Sequence, residues 1–247
     1  MSKLIVGDVE TNSINGGPLA GFRNAIINGN FAVNQRGVSG TVTLSAGAYG
    51  HDRWKAGASG CTYTFATSAN VTTLTITAGS LVQVIEGASL FSGTYTLSFT
   101  GTAQGKIGAG SFGDSGITGS ATGGTNLAIE FNTGTVSQVQ LEPGSVATPF
   151  ERRPVGTELA LCQRYFCRTR YVVRFSATGA GQIFENSIYW PQTMRANPTT
   201  TLDATGTVNG TATVLNPNSF AARASLTSSG SGDVRLLGAL VTADAEL

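Results

Sequence analysis

The sequence predicts an all-β protein, in which a jelly-roll β-sandwich is followed by a smaller β-sandwich and one short helix joins them. Gly, Thr and Ser, with 33, 33 and 22 residues, make up over a third of the 247-residue chain. Only 12% of the residues are charged, against about 25% in ordinary proteins. Apolar and polar residues also alternate with a period of two, as in strands that bury one face.

The composition excludes several other classes of protein. A helical bundle or coiled coil is rich in Glu, Lys and Arg, whereas this chain holds 15 Lys and Arg and 14 Asp and Glu in total. Disorder requires low hydrophobicity and high net charge, but 40% of the residues are hydrophobic and the net charge is +1. That balance argues against a nucleic-acid partner. No apolar run is long enough for a membrane helix, so we expect no membrane insertion.

Residues 1–23 are predicted to be an N-terminal arm. Leu4–Val9 has the pattern of a short strand, and a Gly-Gly-Pro break at Gly16–Pro18 follows it. This segment holds too little apolar surface to fold alone, so we expect it to pack on the main body or to dock on a partner. Its apolar stretch is too short for a signal peptide, so we expect synthesis in the cytoplasm without export.

Residues 24–154 are predicted to form the jelly roll. The alternation is clearest in Thr73–Ala78, Thr94–Phe99, Leu127–Asn132 and Gln138–Glu142. Thr suits the solvated face of such strands because its branched side chain favours extended backbone while its hydroxyl remains in water. Gly-rich stretches between these runs supply the turns.

Residues 155–168 are predicted to contain the linker helix, and residues 169–247 the smaller β domain. The helix is expected over Gly156–Phe166, because good helix formers follow Pro154 and Thr157 there. Six strands are expected in the second domain, separated by Asn, Gly and Pro turns. They are Tyr171–Phe175, Ile188–Trp190, Thr199–Leu202, Thr211–Leu215, Phe220–Leu226 and Val234–Val241.

Two motifs resemble catalytic or nucleotide-binding signatures. Gly108–Gly113 matches G-x-G-x-x-G, but the residues that follow cannot form the helix whose N-terminus would hold a phosphate. Gly113–Gly116 is similar to the nucleophile loop of trypsin-like proteases, with His51 upstream, but the surroundings of that histidine do not fit a catalytic triad. We therefore expect a flexible β-loop at Gly108–Gly113 and no enzymatic activity.

Several segments resemble, in the expected order, parts of bacteriophage tail-fibre and prophage structural proteins. Asn24–Phe31, Asn34–Gly37 and Asp52–Trp54 resemble the opening of a common domain of that family. Gln140–Pro154 resembles the closing strand of that domain, and Glu158–Tyr165 resembles the helix that follows it. Met194–Pro198 and Ala243–Leu247 resemble the C-terminal domain of these proteins, and Lys3–Asp8 resembles their leader. The resemblance implies a carbohydrate-binding-like jelly roll in a virion appendage, a homotrimer and no catalysis.

Candidate glycan contacts come from residue types that bind sugars, in which an aromatic face meets the CH-rich side of the ring and planar polar groups meet its hydroxyls. These types occur together in Tyr49–Trp54, and Trp190 has a similar status. The candidate glycan-binding residues are Tyr49, His51, Arg53, Trp54 and Trp190. The alternative for Asp52–Trp54 is a structural corner, with the Trp in the core and the Asp and Arg paired.

Two further sites are expected. Ile26–Phe31 and Val139–Glu142 are predicted to be adjacent first and last strands, so Asn30 and Glu142 are candidate ligands for a calcium ion; the alternative is hydrogen bonding to turns. No other cofactor is expected. Three residues on one face of the helix are candidate contacts near the threefold axis of a homotrimer. They are Leu159, Cys162 and Phe166.

The sequence and the resemblance together predict a non-enzymatic virion structural protein, a trimeric fibre or spike that contacts glycans on the host surface. Residues 1–23 would attach it to other virion proteins. One alternative is a capsid decoration protein, which stabilises the particle and for which glycan binding is incidental. A second alternative is a polysaccharide hydrolase, which requires a pair of carboxylates at the cleaved bond.

Overall fold

The computed structural model describes residues 22–247, of which the predicted attachment arm contributes only Phe22 and Arg23. The predicted strand Leu4–Val9 lies outside the described residues. Of the described residues, 53% are in strands, and the sheets that they form are antiparallel, so the all-β prediction is confirmed. It divides into two compact units, an N-terminal unit that ends at Arg153 and a C-terminal unit that begins at Pro154.

The N-terminal unit has one branched antiparallel sheet of eight strands. The strands are β1 (Val42–Leu44), β2 (Lys55–Ser68), β3 (Val71–Ile85), β4 (Gly93–Gly101), β5 (Gly105–Ile107), β6 (Ile117–Ala121), β7 (Leu127–Phe131) and β8 (Gly134–Pro143). The first half of β3 pairs with β8, and its second half pairs with β7. This change of partner separates a branch ordered β1-β2-β3-β8-β4-β6 from a branch ordered β3-β7-β5.

The change of partner lies at a bulge around Gly79. This residue has a φ of +71°, and a Cβ there would lie 2.0 Å from the Gly60 carbonyl oxygen. Only glycine allows that approach of β2 to β3. Both branches bury their apolar faces in one core, in which Trp54, Leu97 and Phe131 are fully enclosed.

The C-terminal unit begins with helix α1 (Val155–Gln163) and continues as seven strands. They are β9 (Phe166–Ala177), β10 (Ile183–Tyr189), β11 (Thr199–Asp203), β12 (Thr207–Val208), β13 (Gly210–Leu215), β14 (Ala221–Ser228) and β15 (Gly232–Asp244). One sheet has the order β10-β14-β13; in the other, β15 pairs with β9, β11 and β12. Apolar residues of both sheets form a second core.

The helix differs from its prediction at both ends. It begins one residue earlier, at Val155, and it ends at Gln163, whereas the prediction extended to Phe166. Phe166 is the first residue of β9, where it pairs with Asp244. Aromatic residues favour strands over helices, and here the pairing with β15 overrides the apolar spacing that suggested a longer helix.

In the described part of the chain, no helix is long and apolar enough to span a membrane.

Candidate functional site

The segment with the most sugar-binding residue types forms a buried structural corner, which consists of residues 28–36 and 51–54. The Asp52 carboxylate accepts hydrogen bonds from the backbone N–H and the side-chain amide of Gln35, at 2.5 and 2.7 Å. The indole of Trp54 donates to the Asn28 carbonyl oxygen at 3.0 Å. Burial raises the pKa of Asp52, although the Gln35 hydrogen bonds and the Arg36 charge lower it.

The prediction of glycan contacts in this corner is wrong for three residues. His51, Arg53 and Trp54 are each at most 1% exposed, so no ligand can stack on them from solvent. The Arg53 guanidinium donates to the Val84 carbonyl oxygen at 2.6 Å. His51 Nδ1 lies 3.0 Å from the Tyr63 hydroxyl, and burial lowers the pKa of His51 to about 4. The alternative of a structural corner fits these contacts, with Gln35 and Arg36 beside the aspartate.

The two remaining glycan candidates are also engaged within the protein. Tyr49 is half-buried, and the cationic groups of Arg36 and Lys55 lie 5.0 and 5.8 Å from its ring centroid. Trp190 is 6% exposed and donates its indole N–H to the Asn218 carbonyl oxygen at 2.8 Å. It belongs to the core of the C-terminal unit rather than to an open surface.

The structure does not bring the two candidate calcium ligands together, because the chain direction separates them. Residues 25–29 lie alongside β8 in antiparallel fashion, with Ala25 bonded to Leu141 and Gly29 to Val139. This direction places Asn30 and Glu142 at opposite ends of the paired stretch. The segment 26–31 is adjacent to β8 as expected, but it is not a strand. Among residues 22–247, no group of three or more His, Cys, Asp or Glu could hold a metal ion.

Glu142 instead anchors a clasp, which consists of residues 22–26 and 140–153. Its buried carboxylate accepts the backbone N–H and the hydroxyl of Thr148, at 2.8 and 2.6 Å, and the side-chain amide of Gln140, at 2.7 Å. Glu151 accepts the backbone N–H groups of Phe22 and Asn24, each at 2.8 Å. The clasp therefore ties residues 22–26 to the last residues of the N-terminal unit.

The helix residues predicted to meet at a threefold axis are buried or half-buried in the structure. Cys162 is 0% exposed and Phe166 is 6% exposed, while Leu159 is half-buried. Side chains with so little exposed surface cannot pack against a second copy, so the prediction that Cys162 and Phe166 are trimer contacts is wrong. All three cysteines of the chain are free and buried. Burial raises the pKa of the Cys61 and Cys167 thiols to about 11, which keeps both in the unreactive thiol form.

The N-terminal unit opens to solvent in a cleft of 760 Å³, a size typical of ligand sites. The cleft is lined by the Gly-rich loop Ile107–Gly113, by Gly116–Ser120 at the start of β6, and by Leu127 of β7. Two backbone contacts fix the loop. Gly105 and Gly113 exchange hydrogen bonds of 2.9 Å, and the Gly116 N–H donates to the Leu97 carbonyl oxygen. Gly116 has a φ of +100°, which other residues rarely adopt.

Phe112 gives this cleft an exposed aromatic face. Its side chain is 38% exposed, and the Lys106 ammonium lies 4.9 Å from the ring centroid. Lys106 is held by Glu130, at 2.7 Å. Burial alone would raise the pKa of Glu130, but hydrogen bonds from Lys106 and Ser80 and the Lys106 charge lower it overall. The ring is therefore supported by an ion pair that belongs to the strands beneath the loop.

Polar groups beside the loop complete this surface. Gln104 is exposed; its amide donates to Asp114 at 3.4 Å, and its backbone N–H donates to the Asn132 side chain at 2.8 Å. The exposed hydroxyls of Ser111 and Thr118 lie within the lining. An aromatic face with amide, carboxylate and hydroxyl groups around it fits a neutral, hydroxyl-rich ligand such as a sugar.

The sequence predicted a flexible loop at Gly108–Gly113 but did not predict that this loop lines a cleft. The signal that could have identified it is Phe112, a large aromatic residue in a run of Gly and Ser where no strand pattern would bury it. No protein-family model, curated protein or solved structure matches this chain.

Proposed function

We propose that this protein is a non-enzymatic structural protein of a bacteriophage virion, a fibre or spike, whose N-terminal unit contacts host-surface glycan through the cleft at Ile107–Ser120. The observation that carries the glycan contact is the exposed Phe112 ring in a cleft of ligand size. The β-sheet supports the ring through Lys106 and Glu130. The ring is therefore already in place, and little conformational entropy is lost when a sugar stacks on it.

The state of the buried ionisable groups supports a binding role over a catalytic one. His51 is the only histidine of the chain; its ring meets those of Phe31 and Phe65 edge to face, and burial lowers its pKa to about 4. The Asp52 and Glu142 carboxylates are both buried and receive their hydrogen bonds from neighbouring protein groups. These groups hold loops in place, and none of the three opens onto the cleft lining.

The virion setting rests on the resemblance to tail-fibre proteins. Four of the segments that carry it lie in or next to the corner and the clasp, where Asn28, Asp52, Trp54 and Glu142 make structural hydrogen bonds. A sandwich that depends on these contacts requires the same residue types at the same places. The shared pattern therefore supports a shared fold, and the virion location follows from that fold as a proposal.

A glycan array probed with the fluorescently labelled full chain tests the proposed contact. The wild-type protein and a Phe91→Ala variant should bind the same glycans, because Phe91 is 81% exposed but is not part of the cleft lining. A Phe112→Ala variant should lose that binding, while Phe112→Tyr, which keeps the aromatic face, should retain it. Equal binding by the Phe112→Ala and wild-type chains would reject the cleft as the site.

A further assay separates the binding role from the hydrolase alternative. Each glycan bound on the array is incubated with the wild-type chain, and the reducing ends are measured over time. The proposal expects no increase above a sample without protein. A steady increase would identify the protein as a glycosidase and would overturn the non-enzymatic assignment.

A further inference from the structure

Strand β10 (Ile183–Tyr189) forms one edge of its sheet in the C-terminal unit, because within the described residues it pairs only with β14. Edge strands of this kind are usually protected by Lys, Pro or a bulge, and β10 has none of these. Instead it exposes large apolar side chains at both ends. Ile183 is 62% exposed and Tyr189 is 73% exposed. Such an edge is a template for pairing with another strand.

The direction of the backbone groups that do not bond to β14 follows from one hydrogen bond. The Ser187 N–H is bonded to the side chain of its own neighbour, Asn186, at 2.8 Å. An N–H that points towards β14 would instead bond within the sheet, so the backbone groups of Ser187 point away from it. Because this direction alternates along a strand, the groups of Ile183, Glu185 and Tyr189 also point outwards.

The residue pattern of β10 is self-complementary about Asn186. When the strand is laid antiparallel on a copy of itself with Asn186 at the centre, Ile183 faces Tyr189, Phe184 faces Ile188 and Glu185 faces Ser187. Apolar residues thus meet apolar residues on each face of the sheet. The only charged residue meets a hydroxyl instead of its own copy, which avoids like-charge repulsion.

We propose that β10 pairs antiparallel with β10 of a second copy of this chain, about a twofold axis through Asn186. The outward backbone groups of Ile183, Glu185, Ser187 and Tyr189 would form about eight main-chain hydrogen bonds across the axis. In each copy the Ser187 N–H would exchange its bond to the Asn186 side chain for one of them. The contact is isologous, so it closes with two copies. The two three-stranded sheets become one sheet of six strands.

The other long edge in the C-terminal unit, β9, does not fit this role. Its outer face carries Arg168, Arg170 and Arg174, and charged side chains of this kind are typical of edges that avoid pairing. In contrast, Glu185 on β10 already has a cation beside it in its own sheet, Arg223 at 3.2 Å. Arg223 is level with Ser187, so Glu185 of the second copy would also lie close to it. The charge pattern therefore favours β10.

Disulfide cross-linking tests the contact and its register. In the proposed pairing, the two Asn186 residues form a non-hydrogen-bonded pair with Cα atoms about 4.5 Å apart, within the range of a disulfide. The native cysteines are all buried, so an Asn186→Cys chain should give a covalent dimer on mild oxidation. The two Glu185 residues would be about 8 Å apart, so Glu185→Cys is a matched control and should remain a monomer on a non-reducing gel.

The absence of a dimer for Asn186→Cys, or equal cross-linking of Glu185→Cys, would overturn the proposal. Light scattering of the uncross-linked wild-type chain gives a second test. We expect a species of twice the 25.3-kDa chain mass at high concentration, and a trimer or a concentration-independent monomer would contradict the twofold contact.

Charge substitutions test whether the mass of the dimer depends on the residues of the proposed contact. Ser187→Glu places like charges opposite each other at two symmetric positions. The dissociation constant of the dimer should therefore rise about tenfold. Adding Glu185→Lys to that variant places opposite charges there and should restore the dimer. Thr213→Glu, on the same sheet but on β13, is the matched control and should leave the mass unchanged. A failure of the double variant to recover would count against the register.

Discussion

The corner and the cleft of the N-terminal unit use opposite kinds of residues for opposite purposes. The corner holds His51, Asp52, Arg53 and Trp54, which are among the most chemically versatile side chains in the chain, and all four are buried. The cleft is built largely from Gly, Ser and Thr around a single exposed Phe112. The versatile side chains are thus used to hold the fold, and the accessible surface is made of simple ones.

This difference has a physical cause. A chain with 33 Gly and 12% charged residues has few groups that can close long loops, and a buried amide or carboxylate with several hydrogen bonds does so effectively. Asn28 illustrates this role, because its side chain bonds to Val33 through two hydrogen bonds and to the Asp52 carbonyl oxygen. A loop that must remain open to solvent needs no such group.

The largest loss of stability is expected from the corner. Trp54 is fully buried, packs 5.0 Å from Phe31 between ring centroids, and donates to Asn28. A Trp54→Ala variant should lose about 3–5 kcal/mol in the free energy of unfolding, because it leaves a cavity in the core and removes the indole hydrogen bond to the Asn28 carbonyl oxygen. Urea denaturation of the full chain measures this loss. A loss below about 1 kcal/mol would contradict the structural role of the corner.

The corner should also make stability depend on pH. The folded pKa of His51 is about 4, against 6.5 for the free side chain, so below pH 6.5 the unfolded chain binds the extra proton first. The contribution of His51 is therefore complete above pH 6.5 and is lost as the pH falls towards 4, by on the order of 3 kcal/mol.

The control for this pH effect is His51→Asn, whose amide oxygen can still accept from the Tyr63 hydroxyl. The free energy of unfolding, measured by urea at several pH values, should decline more steeply for the wild type than for this variant between pH 6.5 and 4. Parallel curves for the two proteins would show that His51 does not titrate as the structure implies.

A smaller loss is expected in the clasp. Glu142→Gln replaces one carboxylate oxygen by an amide N–H that faces the Thr148 or Gln140 donors, at a cost of about 1–3 kcal/mol. Glu130→Gln is the matched control, because the Glu130 side chain is 22% exposed and its pair with Lys106 lies near the surface, where such pairs contribute about 0–1 kcal/mol. Thermal unfolding should rank the two variants in this order, and the reverse order would contradict the clasp.

The smallest effect on stability, and the largest on binding, is expected in the cleft. Phe112→Ala should change the free energy of unfolding by less than about 1 kcal/mol, because the ring is 38% exposed. The same substitution should abolish binding to the glycans found on the array. If it unfolds the protein instead, Phe112 is part of the core and the contrast between the two regions fails.

The regular strands could be predicted from the sequence because their pattern is local. All six strands expected in the C-terminal domain are present, for example Gly210–Leu215 where Thr211–Leu215 was predicted. The lengths of the strands were harder to predict, since β9 and β15 pair over more residues than the alternation of apolar and polar side chains indicates. The end of the helix was missed for a related reason, because pairing with β15 extends the strand conformation back to Phe166.

The candidate site could not be predicted in the same way. Tyr49–Trp54 has the residue types of a sugar site, but the same types also satisfy one another in a buried corner, and burial there depends on Gln35, Tyr63 and Val84 from elsewhere in the chain. The cleft depends on contacts of Gly105 with Gly113 and of Gly116 with Leu97. No local pattern encodes these contacts.

Hydroxyl-radical footprinting of the full chain, alone and with the glycan that gives the strongest array signal, tests the central claim most directly. We predict that Phe112 is oxidised in the free protein and protected by the glycan, while Trp54 and Trp190 remain unmodified in both samples. Oxidation of Trp54 that the glycan suppresses, with Phe112 unaffected, would return the binding site to the corner and contradict the account.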